Sequence, residues 1–141
     1  HSFSGWVADV TVTDNKMPAS NIVFTAQWAV NYYTLTFDIN GGTPVVEPLI
    51  LAYNEPFNYP NITREGHTLN GWEPKLERMP AHNVTVVAQW TANVYTVTLD
   101  VNGGDKLEMS EINVTYGKEY GELPNATRTG YGFIGWFTEK D

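Results

Sequence analysis

The chain has 141 residues, of which 42% are apolar and 17% charged, a composition that folds rather than one that stays disordered, and enough length for one ordinary domain or two small ones. Sixteen acidic residues against eight Lys and Arg give a net charge of −8, a sign that repels phosphate backbones and anionic headgroups and makes nucleic acid a poor partner. There is no cysteine, which excludes disulfides and thiolate metal sites, and no apolar run approaches the ~20 residues that span a bilayer, so no membrane insertion is expected.

In chain order, His1 to Gly5 carries no charged region followed by an apolar stretch and does not read as a signal peptide. The segment SFSGW, ending at Trp6, reads as a strand. MPASNIVFTAQW (Met17 to Trp28) holds another, with Ile22, Phe24, Ala26 and Trp28 on one face and Thr25 and Gln27 off it. YTLTFDINGG (Tyr33 to Gly42) follows. Tyr33, Leu35, Phe37 and Ile39 alternate with Thr34, Thr36 and Asp38, the period of a half-buried strand. Asn40, Gly41 and Gly42 then supply the residues that a tight turn with positive φ accepts. Leu49–Tyr53 is a second strand, HTLNGW ending at Trp72 a third, and Val84, Val86, Ala88 and Trp90 mark a fourth with Thr85 and Gln89 on its wet face. The series restarts at YTVTLDVNGG (Tyr95 to Gly104), with the turn at Asn102, Gly103 and Gly104. Ile112–Tyr116 and YGFIGW ending at Trp136 complete it. No window of ten residues shows a helical period. One turn of helix is expected at most, near Pro56–Thr63 or Glu119–Thr127.

These elements are copies. Tyr95 follows Tyr33, and MPAHNVTVVAQW from Met79 follows MPASNIVFTAQW from Met17, by the same 62 residues (95 − 33 and 79 − 17). Pro60 to Gly66 matches Pro124 to Gly130. The chain therefore divides into residues 1–29, the C-terminal part of a repeat, 30–92, a complete repeat, and 93–141, the N-terminal part of a further one.

The order FDxNGG, an extended segment, a TRxGYxFxGW-like strand and MPxxNVTVxAQW resembles the Listeria–Bacteroides repeat, also called the internalin-type B repeat, over essentially the whole chain. That resemblance implies a strongly β-dominated α+β fold: tandem small β-grasp-like (ubiquitin-like) modules with antiparallel hairpins and at most one short helix each. It also implies long surface proteins in which such repeats serve as stalks or accessory binding modules, with no catalytic residues to carry over. The sequence departs from its own pattern in places. Tyr53-Asn54 stands where the next copy has Tyr116-Gly117, His67 where it has Tyr131, and the loop after Trp72 is shorter than that after Trp6.

A catalytic residue need occur once, whereas a structural one should recur. All five tryptophans, Trp6, Trp28, Trp72, Trp90 and Trp136, occupy recurring positions, and with Phe37 and Leu99 they are expected to fill the core. A carbohydrate-stacking platform, to which Tyr32, Tyr59 and Tyr120 would contribute, is the rival reading. His1, His67 and His82 form no metal-ligand spacing. Asp100, Asn102 and Asp105 around a double glycine partly resemble a calcium loop but lack its spacing and terminal Glu, so the turn is preferred. Acids are scattered, no serine lies in a GxSxG elbow, and no cofactor, metal or catalytic set is expected. Four Asn-x-Ser/Thr sequons, at Asn61, Asn83, Asn113 and Asn125, are candidate N-glycosylation positions.

The expected function is a non-catalytic structural or adhesive repeat of an extracellular or cell-surface protein, stalk or fibre. Its partners would be neighbouring repeats or other copies of itself. Residues 1–29 hold third and fourth strands and 93–141 hold the first three, so each end offers what the other could complete, a route to head-to-tail assembly by strand complementation. The alternative is a module that binds a host or cell-surface protein or glycan through a sheet edge or aromatic patch.

Overall fold

The computed structural model of the chain describes residues 1–138; residues 139–141, which end the expected 93–141 period, lie outside it. Eight strands form: β1 (Ser2–Ala8), β2 (Phe24–Ala29), β3 (Tyr32–Asp38), β4 (Leu49–Ala52), β5 (His67–Glu73), β6 (Val84–Ala92), β7 (Val94–Thr98) and β8 (Glu111–Thr115). They make a β1-β2 ribbon, a four-stranded sheet in the order β4-β3-β6-β5, and a β7-β8 ribbon. The chain divides into two compact units, His1–Ile62 with Gly71–Gln89, and Thr63–Asn70 with the described part of Trp90–Asp141.

The core of the first unit lies on the four-stranded sheet. Leu35 and Phe37 of β3 and Val86 and Ala88 of β6 are buried, and Trp72, Met79 and Ile62 close over them. The period-two pattern is responsible. Alternate residues of β3 and β6 point to one face, while Thr85 and Gln89 stay exposed. β3 pairs with β4 antiparallel, Leu35 opposite Leu49. It pairs with β6 in parallel, Leu35 opposite Val84 and Phe37 opposite Val86. A parallel pair needs a long crossover, and here residues 39–83 provide it, carrying β4 and β5 on the way. The expected antiparallel hairpins are present in β1-β2, β3-β4 and β7-β8, and a parallel pair joins β3 to β6 at the centre of the sheet.

Trp72 shows how the aromatic core is built. The Tyr59 ring stacks on it at 5.6 Å and 16°, and Phe37 meets it edge-on at 5.5 Å. The Tyr59 hydroxyl donates to the Leu76 carbonyl (3.0 Å) and accepts from the Leu76 N–H (2.8 Å), so burying it leaves no polar group unpaired.

No helix occurs among the described residues, so the α component of the expected α+β class and the single helical turn near Pro56–Thr63 or Glu119–Thr127 are not formed. The chain that enters the first stretch is already engaged, as are points within the second. Asn54 N–H donates to the Met79 carbonyl and Met79 N–H to that of Glu55, both at 2.9 Å, and Pro56 bridges to Arg78. In the second stretch the Thr127 carbonyl accepts from Asp105 N–H (2.7 Å) and the Pro124 carbonyl from the Trp136 indole (2.7 Å). Pro56, Pro60 and Pro124 lack the N–H that a helix interior requires.

Candidate interaction site

The recurring DxNGG motif resolves into the same local device twice. The Asp38 carboxylate accepts from the Asn40 backbone N–H, and that of Asp100 from Asn102 N–H, each at 2.9 Å. Asn40 and Gly41 have φ of 46° and 80°, Asn102 and Gly103 φ of 47° and 78°. Gly42 N–H closes the first turn on the Ile39 carbonyl at 2.9 Å, and Gly104 N–H the second on that of Val101 at 2.8 Å. Positive φ at both central residues makes each a type I′ turn, which Asn-Gly accommodates best. A Cβ at Gly104 would lie 2.7 Å from the Thr127 carbonyl oxygen. The acids of this loop are thus occupied structurally, as is Asp105, which accepts from the Thr127 hydroxyl at 2.5 Å. Among the described residues no group of three or more His, Asp or Glu is placed to hold a metal ion.

At Asn40 the turn does a second job, which composition and spacing did not reveal. The Asn40 side-chain amide donates to the Ala88 carbonyl on β6 at 3.0 Å. Asn83, just before β6, accepts from Thr34 N–H at 2.9 Å, so the parallel strand is fastened near both ends. In the second unit, Asn102 lines an open groove of about 690 Å³ with Val101, Gly104, Arg128, Phe133 and Trp136. Arg128 closes one wall. It donates to the Asn102 carbonyl at 3.1 Å and lies 4.2 Å over the Tyr131 ring.

The predicted core residues divide by what covers them. Phe37, Trp72 and Leu99 are buried, and Trp90 and Trp136 half-buried. Trp6 and Trp28 correct the expectation, for they are 63% and 62% exposed. Both pack edge-on against Phe3, at 5.4 and 5.6 Å, on a ribbon whose β2 pairs with β1 but with no further described strand. Two strands cannot cover an apolar face. YGFIGW is also corrected: it forms no strand, and Tyr131 and Ile134 are exposed, because no fourth strand lies beside it among the described residues. Asn54, where a glycine was missing, adopts φ of 67° against 75° at Gly117, so it preserves the bend.

The sequon asparagines Asn61, Asn83, Asn113 and Asn125 are all exposed. Asn83 serves β3 as described, and Asn113 accepts from the Thr96 hydroxyl at 2.9 Å. His1 and His67 meet tyrosine rings, and His82 is exposed.

The sequence model of the Listeria-Bacteroides repeat domain matches residues 33–89 and 95–141. A "Putative membrane protein" of Evansella cellulosilytica is 32% identical over the whole of this chain and 24% of its own length. A "Putative Gly-rich membrane protein" of the same organism is 27% identical over 99% of this chain and 18% of its own length. Internalin H of Listeria monocytogenes is 32% identical over 93% of this chain and 24% of its own length. The chain thus spans about a quarter or less of the curated relatives it matches. No solved structure matches it significantly.

Proposed function

Because the chain belongs to the Listeria–Bacteroides repeat family, we propose that it is a non-catalytic structural repeat segment of an extracellular or cell-surface protein, built to join with other repeats. The observation that carries this reading is the use to which the recurring residues are put. Asp38 and Asp100 hold turns, and Asn40 holds both a turn and the fourth strand. A residue set spent on backbone geometry supports a scaffold rather than a reaction centre. No helix among the described residues is long and apolar enough to cross a membrane. The periods are 1–29, 30–92 and 93–141. The sheet order second-first-fourth-third around a parallel pair supports a β-grasp-like unit for 30–92. Any N-glycan would sit on the exposed sequons.

The partner is a fourth strand. In 30–92 the first strand has β6 on one edge. β7, its copy, pairs with β8 and with no other described strand, and an open groove lies at the turn that follows it. A segment of the β2 type, with Phe24, Ala26 and Trp28 on one face, would add to β7 in parallel and bring main-chain hydrogen bonds to a bare edge. Another copy supplies such a segment head-to-tail, as does a neighbouring repeat.

A binding module that stacks glycans on the aromatic patch is the weaker reading. Trp6 is the copy of Trp72, and Trp72 lies under Tyr59 and against Phe37. The Phe3–Trp6–Trp28 cluster therefore has the chemistry of an uncovered half-core. Analytical ultracentrifugation tests the assembly. The chain should show concentration-dependent oligomers, with the amides of Phe24–Ala29 and Val94–Thr98 gaining protection from hydrogen exchange as they form. A monomer at all concentrations, with both segments already protected, overturns strand addition.

A further inference from the structure

One arrangement occurs twice where a fourth strand passes into the next first strand. At the first link the Asn31 backbone carbonyl accepts from Tyr53 N–H at 2.8 Å, and its side-chain oxygen accepts from the Ser2 hydroxyl at 2.7 Å. The Asn31 amide reaches the Tyr33 hydroxyl at 3.5 Å, and the His1 ring meets Tyr53 edge-on at 5.9 Å. At the second link the Asn93 carbonyl accepts from Tyr116 N–H at 2.7 Å and its side-chain oxygen from the Thr68 hydroxyl at 2.6 Å. The Asn93 amide reaches the Tyr95 hydroxyl at 3.3 Å, and the His67 ring meets Tyr116 edge-on at 5.6 Å. Here the backbone of Asn93 also donates to the Gly66 carbonyl at 2.8 Å.

The two sets share the carbonyl, hydroxyl, amide and ring contacts although the loops between them differ in length. Asn31 and Asn93 are half-buried, as a filled junction requires. Gly66 is part of it: φ is 64°, and the Tyr116 ring occupies the place a Cβ would take. The division into compact units agrees. Thr63–Asn70 and the end of β6 group with the hairpin that follows, so the boundary falls inside the 30–92 repeat and not at the link before Asn93. A free tether would place it at the link.

We propose that Asn31 and Asn93 are the centres of a built interface between successive repeats. The start of one repeat's third strand, through its hydroxyl and histidine, docks on the Asn–Tyr pair of the next. The surface fits one kind of partner: another repeat of this type, joined in the same chain. Its consequence is coupling, since in linear arrays the stability of each repeat includes the interface with its neighbour. The proposal rests on the repeat reading but not on strand addition, and a chain that stays monomeric leaves it intact.

Amide hydrogen exchange on the full chain tests it, comparing the unaltered protein with Thr68→Val and Asn93→Ala. Thr68 is exposed, and valine keeps its shape while removing the hydroxyl. The amides of residues 93 and 116 should be protected in the unaltered chain. They should exchange several-fold faster in Thr68→Val and roughly tenfold faster in Asn93→Ala, the effect of losing one or two hydrogen bonds of local opening free energy. The Leu35 and Phe37 amides should not change. Should Asn93→Ala melt the β7-β8 ribbon, Thr68→Val decides alone. Unprotected amides at 93 and 116 in the unaltered chain, or unchanged exchange in Thr68→Val, overturns the interface.

Discussion

The side-chain amide of Asn40 donates to the backbone carbonyl of Ala88, 3.0 Å away and 48 residues along the chain. A turn residue is thereby also the fastening of the fourth strand to the first. Asn40→Gly keeps the positive φ and removes the amide, so it should cost about 1 kcal/mol in a urea melt, the net worth of one hydrogen bond. Asn40→Ala should cost about 1–2 kcal/mol more, because alanine resists the left-handed region. An Asn40→Gly chain as stable as the parent would show that the bond to β6 contributes nothing.

Gly41 occupies the second central position of the same turn at φ 80°. Valine there is strained by its β-branch as well as by its Cβ, so Gly41→Val should lower the melting midpoint of the first unit clearly. An unchanged midpoint would contradict the type I′ assignment.

Tryptophan copies should differ in energetic weight. Trp72 is 7% exposed and Trp6 63%. Trp72→Ala should cost on the order of 3–5 kcal/mol, as for a large buried aromatic, and Trp6→Ala less than about 1. Exposed Gln89→Ala should change little. Equal costs for the two tryptophans, measured by denaturant unfolding, would mean that the β1-β2 face is covered in solution.

That contrast also marks how far the sequence could be read. The alternation in Leu35, Phe37, Val86 and Ala88 placed the core strands, and Asn-Gly-Gly placed both turns, because both are local signals of strand period and positive φ. The burial of a tryptophan is not local. Trp6 and Trp72 share the same Gly-Trp motif, yet only Trp72 has Phe37 and Tyr59 over it. The same holds for YGFIGW, which carries a strand pattern but has no described ladder partner. Parallel pairing of β3 with β6 was hidden because period two does not record strand direction. The roles of Asn31 and Asn93 were missed although both recur 62 residues apart (93 − 31), since a single polar residue in a link gives no periodic signal.

A fourth strand is proposed to seat along the edge of β7 away from β8, running to the turn whose residues line the open groove. Binding of a synthetic peptide with the sequence MPAHNVTVVAQW, that of residues 79–90, to the 141-residue chain tests it most directly, with hydrogen exchange along Val94–Thr98 as the readout. The peptide should bind saturably, protect β7 amides outside the β8 ladder, and bind more weakly to Asn102→Gly, which keeps the turn but loses the side-chain amide corresponding to that of Asn40. No binding at millimolar peptide, or equal binding of a scrambled peptide, would contradict it.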